Sequence, residues 1–279
     1  IVIPAFELLS FWVISNTYCM VYIFLLMIGM NLYTTGEREN KALLMLISMV
    51  ICWLTLSRAE MSVCMACIVC LISFLPLTQR EMLTLSVPMM VVQLLYLIEL
   101  NYQQAISVKN VYDSMLTPAI QAIITVATVG CVIYSFFINS KFFSWIRKKI
   151  NIIVFAVLPG ICIAIYFLDK EKYVKSIESI IYNFKTQYWG YLPALILILY
   201  IMIVLNKRIN FWLIFSTGYV LINLILCLGR KHPLRNGYGD SCNRIMMSAI
   251  PVVFFALICS VLEIVALRIK ENREQEEYK

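Results

Sequence analysis

Charged side chains are scarce in this sequence. Only 14% of its 279 residues are Asp, Glu, Lys or Arg, 62% are apolar, and it contains a single histidine. A soluble domain of this length needs a more strongly charged surface, so the composition excludes an ordinary soluble fold. The charges stand in short islands between long apolar runs, as in polytopic helical membrane proteins.

Motifs of several large function classes are also missing. The sequence has no P-loop, G-x-S-x-G, H-E-x-x-H or G-x-G-x-x-G. It lacks matched broken helices, arginine-rich voltage sensors and repeated filter loops, so common transporter and channel designs are not indicated. The net charge of +7 does not indicate nucleic-acid binding, because basic residues are expected at membrane surfaces.

The ten cysteines do not form a recognisable disulfide framework. All except Cys242 lie inside apolar runs, where cysteine behaves as a small hydrophobe. Cys64, Cys67 and Cys70 repeat every three residues, but a tetrahedral metal site needs a second group of ligands and none follows. We therefore predict no metal site from these residues.

Apolar run length predicts an all-α, polytopic transmembrane bundle in residues 1–267, followed by a charged tail at 268–279. A membrane helix needs roughly 20 apolar residues to cross about 30 Å of hydrocarbon. The second, third, fourth and seventh runs are short by that rule. The nine candidate spans are 9–32, 42–57, 61–77, 82–98, 118–139, 151–168, 190–205, 211–228 and 245–267.

The distribution of Lys and Arg predicts the orientation. Thirteen of the 23 fall on one side, mostly in very short loops next to helix ends, where the positive-inside rule is strongest. The run Arg147-Lys-Lys149 and the tail are therefore predicted to be cytoplasmic, in a multi-pass protein of a bacterial cell membrane. The longer connections 99–117, 169–189 and 229–244 then lie on the outer side.

Arg58 and Glu60 form one polar cluster on the predicted outer side, in a tight turn between two apolar runs. Ionisable groups so close to hydrocarbon are costly unless they are paired or face water, which makes them functional candidates. The simpler alternative is that Arg58 reaches up to lipid phosphate and Glu60 is solvated.

A second cluster, Gly237-Tyr-Gly-Asp-Ser-Cys-Asn-Arg244, stands where the last span begins. Asp240 and Arg244 are four residues apart, on one face of any helix that starts there, and Tyr238 can stack on a sugar or lie among headgroups. The alternative is a helix cap by Asp240 or Ser241 with a local salt bridge.

The connection 169–189 begins with alternating charges and then becomes apolar and aromatic. Ile177, Ile180, Ile181 and Phe184 recur at helical spacing, which predicts an amphipathic helix on the outer leaflet. Such a helix serves either as a surface anchor or as a cup for a lipid-linked substrate.

Three segments resemble polytopic GT-C glycosyltransferases, which use a polyprenyl-phosphate-linked sugar outside the membrane. Leu54-Thr-Leu-Ser-Arg-Ala-Glu60 is similar to their "l-t-R-p-E" segment, with Ala59 in place of proline. Gly239-Asp-Ser-Cys-Asn-Arg244 followed by Pro251 is similar to their late "d-s-x-n-R-x-x-x-x-x-x-P" segment. Pro4-Ala-Phe-Glu-Leu-Leu and Asn16-Thr-Tyr resemble an early middle part.

The resemblance implies glycosyl transfer from a polyprenyl-phosphate carrier to a glycan, lipid or protein acceptor in cell-envelope glycan synthesis. It implies that Arg58, Arg244 and Lys231 hold the carrier phosphate, since guanidinium groups match phosphate oxygens. It further implies contacts from other side chains to sugar hydroxyls or to those arginines, and it leaves the need for a divalent metal ion open. The residues implied in these contacts are Asp240 and Asn243, and the other two candidate substrate-binding residues are Glu60 and Tyr238.

The catalytic acid of that family lies in a first outer loop near the N-terminus, and this sequence has no such loop. The chain begins Ile-Val-Ile-Pro, with neither an initiator Met nor a signal peptide. We therefore expect it to be the C-terminal portion of a longer protein, and the catalytic residue stays unassigned. A flippase or polymerase-type protein for lipid-linked glycans and a non-catalytic membrane subunit stay open as alternatives.

Overall fold

The computed structural model describes residues 11–36, 40–57, 59–106, 118–186, 192–205, 210–229, 246 and 248–277. All regular structure within these ranges is helical. The chain divides into two compact units, Ile1–Ile152 and Ile153–Lys279. Each unit builds its own core from neighbouring helices.

The helices of the described residues are α1 (Phe11–Thr35), α2 (Lys41–Ser57), α3 (Ala59–Ile72), α4 (Gln79–Ile106), α5 (Pro118–Phe136), α6 (Lys141–Arg147), α7 (Ile150–Leu168), α8 (Lys170–Thr186), α9 (Leu192–Leu205), α10 (Phe211–Gly229) and α11 (Ala249–Glu277).

Five of the described helices are long and apolar enough to cross a membrane: α1, α4, α7, α10 and α11. A sixth span results if α5 and α6, which meet at a bend of 107°, form one broken span. The apolar helices α2, α3 and α9 are shorter, with 17, 14 and 14 residues. Each of the nine predicted runs overlaps a helix, and the structure supports an all-helical chain with five to six candidate spans.

α2 is the central helix of the first unit and packs against α1, α3 and α4. Its inward face is buried at the i, i+3, i+4, i+7 spacing of a helix. Gly29 of α1 allows a close approach, because a Cβ atom there would lie 3.0 Å from Cγ1 of Ile47. α5 packs against α3 and α4. The buried residues of α2 are Leu44, Ile47, Ser48, Ile51, Leu54 and Thr55.

Pro88 lies inside α4 without ending it. Proline has no N–H, so the carbonyl of Thr84, four residues earlier, receives no helical hydrogen bond. The hydroxyl of Ser48 in α2 donates to that carbonyl at 2.8 Å. Membrane helices tolerate proline where a neighbouring hydroxyl satisfies the carbonyl in this way, and here the hydrogen bond also joins α2 to α4.

Side-chain caps define where helices of the first unit begin. Asn40 Oδ1 accepts a hydrogen bond from the Leu43 N–H at 3.0 Å, at the start of α2. Thr78 and Glu81 form a reciprocal capping box at the start of α4. Glu81 Oε1 also accepts a hydrogen bond from the Tyr33 hydroxyl at 2.6 Å, so the start of α4 is tied to α1.

In the second unit α10 packs against α7, α8 and α11. Asn210 caps α10, since its Oδ1 accepts from the Leu213 N–H at 2.9 Å. Its Nδ2 donates to Glu263 Oε2 at 2.9 Å, which joins the start of α10 to α11. The rings of Trp212 and Phe255 meet edge to face with centroids 5.1 Å apart.

Two further features of the second unit, α8 and the length of α11, can be compared with the sequence predictions, and a third is a π-helical turn. The amphipathic stretch after residue 169 forms α8, and part of its apolar face packs within the unit, because Ile177 and Ile180 contact Cys227 and its neighbours. α11 is continuous as far as Glu277, through most of the charged tail. α7 contains a π-helical turn at Ile153–Val157.

Candidate functional site

The residues that the sequence singled out fall almost entirely outside the described residues. This applies to Arg58 and to the whole late cluster, and α10 ends at Gly229 before it. Glu60 lies in the first turn of α3, and its side chain is outside the description. Their convergence into one site stays a prediction. The five late residues concerned are Lys231, Tyr238, Asp240, Asn243 and Arg244.

A buried polar cluster adjoins the Arg58–Glu60 turn in the first unit. Ser62, two residues after Glu60, lies 2.7 Å from Gln93 Oε1 of α4 and 3.1 Å from the backbone oxygen of Thr55 in α2. All three side chains are almost completely buried. Polar groups from three helices thus meet close in sequence to the predicted ionisable pair, because Thr55 precedes Arg58 by three residues and Ser62 follows Glu60 by two.

The number of available protons limits the hydrogen bonds that this cluster can form. The hydroxyl of Ser62 has one proton, but two oxygens lie within its reach, those of Thr55 and Gln93. With the Gln93 amide turned over, its NH₂ group donates to Ser62 Oγ, which then donates to the Thr55 carbonyl. In the orientation present, the Nε2 atom of the amide has no partner among the described residues. An unpartnered amide in apolar surroundings costs about 1–3 kcal/mol.

A cavity of about 440 Å³ lies between α9, α10 and α11 in the second unit. Its polar groups are few, chiefly the hydroxyls of Tyr200 and Thr217, which lie 3.4 Å apart, and that of Ser216. Cavities with mostly apolar walls and a few polar groups are typical of ligand-binding sites. The lining residues are Ile196, Leu197, Tyr200, Leu213, Ser216, Thr217, Val220, Leu221, Met246, Ala249, Ile250, Val253 and Leu257.

One residue of the cavity wall lies close to the late cluster in the sequence. Met246, which lines the cavity, comes two residues after Arg244. The hydroxyls of Ser248 and Tyr219 lie 3.0 Å apart, and Asn223 Nδ2 donates to the Tyr219 carbonyl at 2.9 Å. The contact between Tyr219 and Ser248 holds the residue directly before α11 against α10, and the Asn223 contact lies within α10.

The sequence did not single out Ser62, Gln93, Tyr200 or Thr217. The available signal for Gln93 was a lone amide inside the apolar run 82–98, since a polar residue there must find a partner within the protein. Hydroxyl residues carry almost no such signal, because they satisfy themselves on their own helix backbone.

The described residues contain no group of three His, Cys, Asp or Glu side chains placed to hold a metal ion. The acidic residues of both predicted clusters lie outside that search. The apolar helices are consistent with a membrane protein. No protein-family model, curated protein or solved structure matches the chain.

Proposed function

We propose that this chain is part of a multi-pass membrane glycosyltransferase that takes a sugar from a polyprenyl-phosphate carrier on the outer face of the membrane. In this proposal all nine apolar runs span the bilayer in a GT-C-like arrangement and the C-terminal tail is cytoplasmic. The shorter helices α2, α3 and α9 then cross with the help of residues just beyond their ends.

The apolar cavity of the second unit is the observation that carries the proposal. A polyprenyl carrier joins a long hydrocarbon chain to an anionic phosphate, so its site needs an apolar cavity next to cations. The cavity lined by Met246 and Ile250 supplies the first requirement. For the second, the proposal assigns Arg244, two residues before Met246 in the sequence, and Lys231, two residues after the end of α10.

The cluster of the first unit supports a complementary role. Ser62 follows Glu60 by two residues in the sequence and contacts Gln93, whose amide nitrogen has no partner among the described residues. A buried amide in this position can orient a charged side chain or a sugar hydroxyl.

The proposed reaction forms a bond between an acceptor oxygen and the anomeric carbon while the bond from that carbon to the phosphate oxygen breaks. Arg58, Arg244 and Lys231 stabilise the negative charge that remains on the polyprenyl phosphate. Asp240 and Asn243 hold sugar hydroxyls or orient the arginines, and Tyr238 stacks on the sugar. The acceptor proton passes to a base that these residues do not include.

The test uses the whole protein in membranes supplied with radiolabelled polyprenyl-phosphate hexoses. Arg244→Ala and Arg58→Ala are each expected to abolish transfer at unchanged protein level, with Arg273→Ala in the tail as the control for lost charge. Full activity in both variants overturns the proposal. Movement of the labelled lipid across the bilayer without new glycosidic bonds identifies a flippase, and a lengthened lipid-linked glycan identifies a polymerase. If the membranes show no transfer, no flipping and no polymerisation, the result favours a non-catalytic subunit.

A further inference from the structure

A groove runs along the outside of the first unit between α2 and α4. Its volume is about 810 Å³. Its two hydroxyl groups use their protons within the protein, because Ser48 donates to Thr84 and Thr84 donates to the Arg80 carbonyl. The groove therefore presents hydrocarbon. Its lining residues are Met45, Ser48, Met49, Cys52, Trp53, Leu56, Leu83, Thr84, Val87, Pro88 and Val92.

The length of the groove matches one leaflet of a bilayer. From Met45 to Leu56 the axial rise of α2 is about 17 Å. A bilayer has about 30 Å of hydrocarbon, so one leaflet contributes about half of that. The groove is long enough for the acyl chains of a single lipid.

Two basic side chains, Lys41 of α2 and Arg80 of α4, extend the rows of groove-lining residues on their helices. Both lie beyond the same end of the groove. Lys41 precedes Met45 by four residues and Ser48 by seven, so it lies on the groove face of α2. Arg80 precedes Leu83 by three residues and lies on the groove face of α4 by the same rule. The two helices run in the same direction, because α3 returns the chain between them. Both cations are exposed.

Acidic residues also lie near this end of the groove, so what distinguishes the groove is where Lys41 and Arg80 are placed and not the net charge there. Glu81 is directed away from it, towards the Tyr33 hydroxyl and the Thr78 N–H. Glu37 and Glu39 precede α2 in the sequence and lie outside the described residues. Among the described charged residues at this end, Lys41 and Arg80 are the ones in line with the groove-lining residues.

We propose that the groove binds one anionic glycerophospholipid of the surrounding bilayer, with its acyl chains along Trp53 and its phosphate between Lys41 and Arg80. Lysine and arginine are common phosphate ligands at membrane surfaces. A zwitterionic lipid also carries an ammonium group, which these cations repel. The site is independent of the glycosyl-transfer proposal and uses none of its residues.

Trp53 provides a direct reporter, because it lines the groove and is 56% exposed. The protein is reconstituted in phosphatidylcholine vesicles in which phosphatidylglycerol or phosphatidylcholine with brominated chains replaces part of the lipid. Bromine quenches tryptophan on contact, and the difference between the wild type and Trp53→Phe isolates Trp53. Brominated phosphatidylglycerol is expected to compete for the site at least about fivefold more strongly than brominated phosphatidylcholine, because one basic side chain at an anionic surface has about that effect and this site has two.

The variant Lys41→Gln/Arg80→Gln is expected to lose this preference, and Lys41→Arg/Arg80→Lys to keep it. The control Lys148→Gln/Lys149→Gln removes the same charge from two exposed residues elsewhere in the unit and is expected to leave the preference unchanged. Equal quenching by the two lipids in the wild type overturns the proposal, as does an equal loss in the control. If quenching is absent and the Met49→Cys variant forms disulfide-linked dimers, a second copy of the chain covers the groove. That result also overturns the proposal.

Discussion

The hydroxyl of Ser48 donates to the backbone carbonyl of Thr84 at 2.8 Å, and this is the carbonyl that Pro88 leaves without a helical donor. Ser48→Ala is therefore expected to lower the free energy of unfolding by about 1 kcal/mol, since a buried carbonyl loses its partner. With Pro88→Ala the backbone N–H introduced at position 88 satisfies the same carbonyl, so Ser48→Ala is expected to cost less in that background. A double-mutant cycle of unfolding in detergent measures the difference, and an equal cost in both backgrounds contradicts the account.

Asn210 is expected to contribute through two separate contacts, the cap of α10 and the hydrogen bond to Glu263. Asn210→Ala removes both and is expected to destabilise the protein by about 1–2 kcal/mol. Asn210→Ser retains the cap alone and should fall between the wild type and Asn210→Ala in thermal unfolding. If Ser and Ala variants unfold alike, the cap contributes nothing measurable.

Gln93→Leu separates a structural role from a functional one. The substitution removes a buried amide with an unpartnered atom and leaves Ser62 free to donate to Thr55, so stability is expected to stay the same or rise. Under the proposed function, sugar transfer is expected to fall at least about tenfold, equivalent to about 1.4 kcal/mol. The matched control is Ser86→Ala, which removes a second buried polar atom without a partner among the described residues, two helical turns away on the same face of α4. Equal transfer in the two variants contradicts the role of Gln93.

Filling the cavity of the second unit is expected to affect long carriers selectively. Val220→Phe and Ile250→Phe place extra volume in the cavity, so KM for a long polyprenyl substrate should rise about tenfold, while KM for a short-chain analogue stays the same. Ile258→Phe, at an exposed position on α11, is the control and should change neither value. A rise that is independent of chain length would place the carrier chain elsewhere.

The positions of the helices could be predicted from the sequence because hydrocarbon imposes a simple composition on whatever crosses it. The ends could not. The predicted span ends at residue 98, directly before the charged Glu99, but α4 continues to Ile106. In this extension Asn101 forms hydrogen bonds to the Leu97 carbonyl and to Gln121. A charge stops an apolar run but does not stop a helix.

The candidate site could be predicted only in part. The Arg58–Glu60 turn stands out in the sequence because ionisable residues beside hydrocarbon are rare. The contact between Ser62 and Gln93 depends on how α3 packs against α4, and residues 31 positions apart show no joint pattern in a single sequence. The same applies to the cavity of the second unit, whose shape is a property of three helices together.

The short length of α3 has a consequence for how the protein is made. Its 14 residues rise only about 21 Å, too little for the hydrocarbon thickness of a bilayer. None of its side chains from Met61 to Ile72 is fully exposed and most are buried, so protein covers most of its surface. A segment this short gains little from lipid on its own during synthesis. We expect its insertion to wait for α2 and α4, so that the three helices enter the membrane as one cooperative step.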